Sequence, residues 1–223
     1  MSTLGLYKQK VIEKIAQAAT TFHTNAARTS AINEALQNLT EAYDIPETYK
    51  KAMISFTSGV ADKPADYFRM IKLYTFPAAN QQPQEYTYLV EDLFDDLAPD
   101  AQMFNWTEDY DIITGDRKFY IVADDTVDLQ IRYVKKMPTL VNDGDDSGLT
   151  NNFDDVVAYW AGYILLRQEG NYAKAAEYER KARDICVTAI QSKRKQGGVK
   201  QGERVRSRFE KFPILNQGSI GGN

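Results

Sequence analysis

Oxygen-bearing side chains with the spacing of a cation site occur in the stretch VNDGDDSGLTNNFDD. A twelve-residue loop would have oxygen donors at its first, third, fifth and twelfth positions and a glycine at its sixth: Asp143, Asp145, Ser147, Asp154 and Gly148. Carboxylates at those positions, with a glycine at the sharp turn, are typical of an EF-hand that binds calcium. The first chemistry to consider is therefore the binding of a hard divalent cation.

The flanking residues favour a different interpretation. The twelfth position of an EF-hand is normally Glu, and the shorter Asp154 is less able to give the bidentate contact. The segment that enters the loop, IRYVKKMP, predicts a strand ending in a proline, whereas an EF-hand needs a helix there. Asp154 and Asp155 would instead lie at the positive end of a helix dipole. We therefore predict an acidic entrance to a helix, with no metal or other cofactor; calcium binding by residues 143–154 is the alternative.

Residues for covalent or acid–base catalysis are scarce. The chain has one histidine, His23, and one cysteine, Cys186, so cysteine-pair zinc sites are excluded. No Gly-x-Ser-x-Gly motif accompanies His23, and we predict a surface or capping position for it. Cys186 lies in a helical pattern and is predicted to be a small buried side chain. Two acidic pairs predict solvated loops or caps rather than a nuclease metal cluster: Asp95-Asp96 and Asp124-Asp125. We expect no enzymatic activity.

Charge is distributed unevenly along the chain. The net charge is −4, but the segment from Lys193 onwards carries +6, which leaves −10 on residues 1–192. No apolar run approaches the length that a bilayer requires, so we expect no membrane association. An acidic body with a basic tail predicts that the tail meets an acidic partner.

The basic tail interleaves cations with aromatic residues in KQGERVRSRFEKFP. Such a pattern is compatible with a nucleic-acid-binding module, through phosphate contacts and stacking on bases. It is also typical of a peptide arm that anchors aromatic side chains on a neighbouring subunit and pairs its arginines with acidic surface. Because the rest of the chain is acidic, we favour the arm and predict these interface residues for it: Arg204, Arg206, Arg208, Phe209, Phe212 and Pro213.

Helical patterns occupy both ends of the chain. Residues 6–22 repeat apolar positions at three- and four-residue steps, and TSAINEALQNLTEAY predicts a second helix capped by Thr29 or Ser30. We assign residues 1–49 to the N-terminal helices of a bundle. Residues 139–196 are predicted to hold the acidic loop and a C-terminal helical hairpin, broken at Gly170.

The central segment, residues 50–138, is predicted to be a small antiparallel β-domain inserted into the bundle. Strand-like runs rich in β-branched and aromatic residues alternate with turn signals, such as the one at Thr114-Gly115-Asp116. The stretch YTYLVEDLFDDLA predicts a short helix. Residues 197–223 predict a flexible C-terminal arm. The expected fold class is α+β: a helical bundle with an inserted small antiparallel β-domain and an extended C-terminal arm.

The order of these segments resembles that of head-to-tail adaptor proteins of tailed bacteriophages. The resemblance covers residues 28 to 195 and rests on four stretches: TSAINEALQNLTEAY, SGVADKPADYFRM, GDRKFYIVADDTVDLQIRYVKKMPTLV and FDDVVAYWAGYILLRQEGNYAKAAEYERKA. The combination is characteristic: a glycine and a proline before an aromatic strand, then a polar loop and an Ala/Tyr-rich hairpin. The predicted helix at 6–22 lies outside the resemblance.

The resemblance implies a structural virion protein without catalytic residues. Such adaptors form a ring, commonly of twelve copies, beneath the portal, and connect the filled head to the tail. The implied partners are other copies of the chain, the portal protein, tail or nozzle proteins, and the genomic DNA that passes through the lumen and is retained there. The implied location is the neck of the virion, after assembly in the host cytoplasm, and the implied C-terminal arm contacts a neighbouring copy or the portal.

Overall fold

A computed structural model describes residues 2–16, 23–75, 82–89, 104–111, 114–123 and 125–196. The chain divides into two compact units. A helical unit comprises the described residues up to Thr48 and from Met137 onwards, and a β unit comprises Tyr49–Lys136. The predicted arm at 197–223 lies outside the described residues.

Four α-helices build the described part of the helical unit: α1 (Leu4–Ala16), α2 (Asn25–Ala42), α3 (Asp154–Gln168) and α4 (Tyr172–Gln196). Short 3-10 turns precede the β unit at Pro46–Thr48 and precede α3 at Asn151–Phe153. In the described part of the chain, no helix combines the length and the apolar character that a bilayer crossing requires.

Helix α2 begins five or six residues earlier than the sequence pattern predicts. Its N-cap is Thr24, whose side chain accepts a hydrogen bond from the backbone N–H of Ala27. The predicted cap at Thr29 or Ser30 is therefore wrong. Both residues lie inside the helix, because Thr24 satisfies an amide of the first turn and the alanines that follow it extend the helix at little cost.

Helix α3 is the centre of the helical unit. Ten of its fifteen residues are buried, and its apolar side chains lie on nearly every side of the helix. Helices α1, α2 and α4 all pack against it, and together they provide the burial that a helix with apolar residues on nearly every side requires. Gly170, with a φ of 79°, follows α3 in the left-handed conformation, as expected from the predicted break.

Close packing between α3 and α4 depends on a glycine. A Cβ atom built at Gly162 would lie 2.8 Å from Cδ1 of Tyr178 on α4, which is shorter than real contacts allow. The Tyr178 ring cannot simply swing away, because its hydroxyl donates to the carbonyl of Lys14 at 2.7 Å and its ring packs edge-on against Tyr159.

We expect Gly162→Ala to lower the free energy of unfolding by about 1–3 kcal/mol, since the added methyl overpacks a well-filled site. Denaturant unfolding followed by circular dichroism would measure the change. Gly144→Ala is the matched control, because a Cβ at Gly144 meets nothing within 4 Å. Equal stability of the two variants would contradict this account of the α3–α4 packing.

The β unit is a seven-stranded sheet with the strand order β1-β7-β3-β4-β5-β6-β2. The strands are β1 (Tyr49–Phe56), β2 (Val60–Ala61), β3 (Tyr67–Thr75), β4 (Glu85–Tyr88), β5 (Asn105–Tyr110), β6 (Arg117–Ile121) and β7 (Val127–Lys135). Neighbouring strands pair in antiparallel fashion, except that β4 and β5 pair in parallel. The two edge strands, β1 and β2, contact each other, so the sheet is nearly closed.

The predicted fold class, a helical bundle with a small inserted antiparallel β-domain, is wrong. The sheet is mixed, seven-stranded and nearly closed, and it forms a compact unit of its own. The predicted helix in YTYLVEDLFDDLA is also wrong at its start, because Tyr86 lies in β4 and pairs with Leu73 of β3. Its remaining part, from residue 90 on, lies outside the described residues. Pairing with a distant strand outweighs the local helical periodicity here.

Aromatic rings form the interior of the sheet. Tyr67 packs edge-on against Phe119 at 5.0 Å between ring centroids, and Trp106 packs edge-on against the same Phe119 ring at 5.8 Å. The hydroxyl of Tyr67 donates to Glu108, which also pairs with Lys63 at 2.6 Å. Burial, followed by the bond to Glu108, raises the pKa of Tyr67 far above its ordinary value.

The predicted turn at Thr114-Gly115-Asp116 is present between β5 and β6. Gly115 adopts a φ of 72°, and its N–H donates to the carbonyl of Asp111 at 2.7 Å. A left-handed backbone at this position favours glycine, so the local sequence signal is sufficient to place the turn.

Three cations lie side by side across β1, β7 and β3, the three neighbouring strands at one side of the sheet. Lys51 on β1 and Lys72 on β3 are both cross-strand partners of Arg132 on β7. Like charges directly opposite each other destabilise a sheet. Lys72 is compensated by an ion pair with Glu85 at 2.6 Å, and Arg132 stacks on Tyr49 at 5.0 Å, whereas Lys51 is exposed beside them.

We expect Lys51→Glu to raise the free energy of unfolding by about 0.5 kcal/mol, because a repulsive cross-strand pair becomes an attractive one. Thermal and denaturant unfolding at low and high salt would measure it, and the gain should shrink as salt screens the charges. Lys136→Glu makes the same charge change just after β7 and is the control. A loss of stability in Lys51→Glu would show that the cationic row is not a source of strain.

Candidate functional site

The predicted interface residues of the arm, Arg204, Arg206, Arg208, Phe209, Phe212 and Pro213, lie outside the described residues. The predicted pairs Asp95-Asp96 and Asp124-Asp125 also fall there, apart from Asp125, which is exposed. The described residues include the acidic loop, the single histidine and cysteine, and the surface of the helical unit.

The acidic loop, residues 141–153, holds the N-terminus of α1. The first amides of a helix lack intrahelical acceptors, and here the loop supplies them. The N–H of Leu4 donates to the carbonyl of Asp145 at 3.0 Å, and the N–H of Gly5 donates to that of Asp143 at 2.9 Å. In return the N–H of Ser147 donates to the carbonyl of Ser2 at 3.2 Å. The loop therefore acts as a backbone clamp on a helix that lies far away in sequence.

The carboxylates of the loop are each bound by donors of the chain. Asp143 pairs with Lys8 on α1 at 2.7 Å, and Asp146 accepts the N–H of Gly148 at 2.8 Å. Asp145 accepts the amides of two preceding residues, Asn142 and Val141, and these bonds lower its pKa below the usual range. Within the described residues, no group of three or more His, Cys, Asp or Glu side chains is arranged to hold a metal ion. The geometry fits a structural turn better than a calcium loop.

Asp154 and Asp155 occupy the first turn of α3, as the capping interpretation predicts. Asp154 is buried and lies 3.6 Å from the amine of Lys10, which also approaches Asp155 at 3.2 Å. Lys14 completes the group at 3.8 Å from Asp155. The carboxylates thus combine the helix dipole of α3 with cations from α1, and they join the two helices electrostatically.

A buried hydroxyl pair closes the clamp. The hydroxyl groups of Tyr7 and Ser147 lie 2.8 Å apart, and both side chains are buried. Burial raises the pKa of Tyr7 to about 12. A raised pKa means that the folded state keeps this proton above pH 10, where the unfolded state releases it. The stabilisation is complete below the unfolded pKa of about 10 and is lost as the pH rises towards 12.

We expect Tyr7→Phe to lower the free energy of unfolding at neutral pH by about 1 kcal/mol, because Ser147 loses one of its buried hydrogen-bond partners. Above about pH 10 the variant should lose stability less steeply than the parent, since it lacks one titrating phenol. Unfolding curves recorded from neutral pH to about pH 12 would test both effects. Tyr172→Phe, at an exposed position, is the control and should leave the free energy of unfolding at neutral pH unchanged.

His23 and Cys186 are both engaged inside the helical unit. Nε2 of His23 lies 2.8 Å from Oε1 of Glu169 at the end of α3, close enough for an ion pair when the imidazole is protonated. The prediction of a surface or capping position holds only in part: His23 directly precedes Thr24, the N-cap of α2, but its side chain is only 12% exposed. Cys186 is fully buried as predicted, and burial raises the pKa of its thiol to about 12. It is therefore a neutral thiol at physiological pH.

One concave surface of the helical unit is lined by polar and aromatic side chains. This α2–α3 groove has a volume of about 400 Å³ and is lined by Glu34, Asn38, Tyr163, Ile164, Arg167, Gln168 and Tyr172. The guanidinium of Arg167 donates to the hydroxyl of Tyr163 at 2.8 Å, which fixes both side chains along one wall. Tyr172 is 68% exposed at the mouth.

Sequence reasoning missed this groove. Its residues come from three helices and carry no common spacing, and each helical pattern by itself predicts only a solvated face. The one local signal is the large exposed Tyr172 directly after the Gly170-Asn171 break, and the spacing of apolar residues along α4 does not single it out.

The family described as SU10 adaptor protein matches residues 3–206 of the chain. The match covers nine-tenths of the chain, including α1 and the acidic loop, and it extends into the predicted arm as far as Arg206. Among curated proteins, none matches.

Proposed function

The chain belongs to the SU10 adaptor protein family, and on that premise we propose that it is the head-to-tail adaptor of a tailed bacteriophage. Family membership makes it a bacteriophage structural protein of the adaptor type that is associated with the virion. In detail, we propose that copies of the chain form a ring in the neck, connect the portal to the tail, and help to retain and pass the genome.

The family match is the observation that carries the proposal. It runs from residue 3 to residue 206, so it includes α1, which lies outside the resemblance seen in the sequence. The clamp between α1 and the acidic loop explains why a common structural unit would need both segments. The match also includes the start of the basic arm, with Arg204 and Arg206.

Charge is the second support for an assembly role. A cyclic ring needs two different faces on each subunit that complement each other. The −10 on residues 1–192 and the +6 on the remainder provide one attractive pair of surfaces. An acidic lumen would also repel DNA phosphates, so that the genome passes without adhering. A ring of twelve is the number implied by the resemblance, and the portal and tail proteins are its proposed neighbours.

We further propose that the chain acts by binding rather than by catalysis. Its thiol is buried and protonated, and its imidazole is held by Glu169. Neither group is presented to a solvent-filled cleft in the described residues, whereas nucleophilic catalysis needs an activated and accessible group.

Removal of residues 197–223 should abolish ring formation and portal binding while leaving the helical and β units folded. Negative-stain electron microscopy of the purified protein, alone and mixed with its portal, would detect the rings. Circular dichroism would verify the fold. A full-length control with the order of residues 197–223 scrambled keeps the length and charge of the arm and should also fail to assemble.

Two results would count against the proposal. If the protein that lacks residues 197–223 still forms rings of normal size, the arm is not needed for assembly. Tight binding of DNA by the intact protein, lost with the arm and falling steeply with salt, would favour the alternative of a nucleic-acid-binding module.

A further inference from the structure

The α2–α3 groove presents one carboxylate, that of Glu34, for which the described residues provide no partner. Glu34 lines the groove, and Glu41 lies two turns further along the same face of α2. Both are exposed, and within the described residues neither forms an ion pair or a hydrogen bond. Other carboxylates of this unit, such as Asp143 and Glu177, are bound by lysines. The groove thus offers acceptor charge that the described fold leaves unused.

Apolar and cationic groups complete the lining. Ile164 and the rings of Tyr163 and Tyr172 supply apolar surface, and Tyr172 extends into solvent at the mouth. Arg167 stacks over the Tyr163 ring at 5.5 Å and keeps donors available for a carboxylate. A ligand that fits would carry an aromatic anchor, at least one cation for Glu34, and an anion near Arg167.

The arm of this chain has that composition. The segment ERVRSRFEKFP alternates three arginines and follows them with Phe209 and, as the next residue in the sequence, Glu210. Arg206 or Arg208 can pair with Glu34 and Glu41 while Phe209 enters the groove and Glu210 meets Arg167. Glycine-rich or purely basic peptides would satisfy only part of the lining.

Geometry favours an arm from another copy over the arm of the same chain. The groove lies at the Tyr172 end of α4, whereas the arm leaves from its other end at Gln196. Helix α4 is about 36 Å long at 1.5 Å per residue. The thirteen residues from Gln196 to Phe209 span about 43–47 Å when fully extended. An intramolecular arm would have to run back along the helix at about four-fifths of its full extension, a constraint that a neighbouring subunit does not impose.

We propose that the α2–α3 groove is the receptor for the C-terminal arm of a neighbouring copy of this chain. The inference rests on the proposed assembly function and adds the place at which the arm binds. Phe209 is the anchor, packed among Tyr163, Ile164 and Tyr172, and Glu34 is the principal partner of the arginines.

Photo-crosslinking of the full-length protein would locate the arm directly. Phe209 is replaced by benzoylphenylalanine, and the assembled protein is irradiated and mapped by mass spectrometry. The expected crosslinks fall within residues 34–41 and 163–172. Mixing isotopically heavy and light copies separates crosslinks between chains from those within a chain, and we expect heavy–light pairs.

A charge exchange tests the ion pair independently. Glu34→Arg should raise the protein concentration needed for half-assembly by about fivefold, in line with the loss of an exposed ion pair. Arg206→Glu and Arg208→Glu together should do the same, and combination with Glu34→Arg should recover most of the loss. Asp184→Arg, an equal charge change on the exposed face of α4, is the control and should leave assembly unchanged.

The outcomes separate this inference from the proposed function. Crosslinks to another surface, with assembly still dependent on the arm, would overturn the groove as receptor and leave the adaptor role intact. Crosslinks to the groove within single chains only would overturn the role of a neighbouring copy. Assembly that is unaffected by removal of the arm would overturn the proposed function itself.

Discussion

Helix α3 is apolar on nearly every side, and a helix of that kind is stable only when other elements cover it completely. Its cover comes from α1 and α2 at the start of the chain and from α4 at the end. In chain order the β unit, Tyr49–Lys136, lies between these two groups of helices and forms a compact unit of its own. The absence of a side chain at Gly162 lets the Tyr178 ring lie directly against α3, so that α4 closes the last open side.

The same constraint gives the acidic loop its role. The loop leads into α3 and must also secure α1, and its carbonyls do so by accepting the first amides of that helix. Its carboxylates are consequently held by Lys8 and by neighbouring backbone N–H groups instead of converging on a point. Residue types that suit calcium serve here as local hydrogen-bond acceptors, and only the distances between donors and acceptors distinguish the two roles.

Several carboxylates of the helical unit, such as Asp143, Asp155 and Glu177, are neutralised within the unit by lysines. Glu34 and Glu41 on α2 are instead exposed and unpaired in the described residues. In the groove, the unpaired carboxylate of Glu34 lies with the exposed ring of Tyr172. Because Glu34 has no ion pair in the described residues, its charge does not stabilise the isolated unit through such a pair. Such a surface is compatible with the proposed role of this SU10 adaptor family member in binding other chains.

The sequence by itself determined the features that depend on neighbouring residues: the helical hairpin that contains α3, the break at Gly170, the turn at Gly115, the burial of Cys186 and the resemblance to phage adaptors. Tertiary structure alone decided that Tyr86 lies in a strand, that β4 and β5 pair in parallel, and that the sheet nearly closes. It also decided that the acidic loop meets α1 and that three helices form a groove. The physical reason is the same throughout: local periodicity specifies which face of an element is buried, whereas the partner that buries it lies far away in the sequence and is selected by packing and hydrogen bonding in the folded chain.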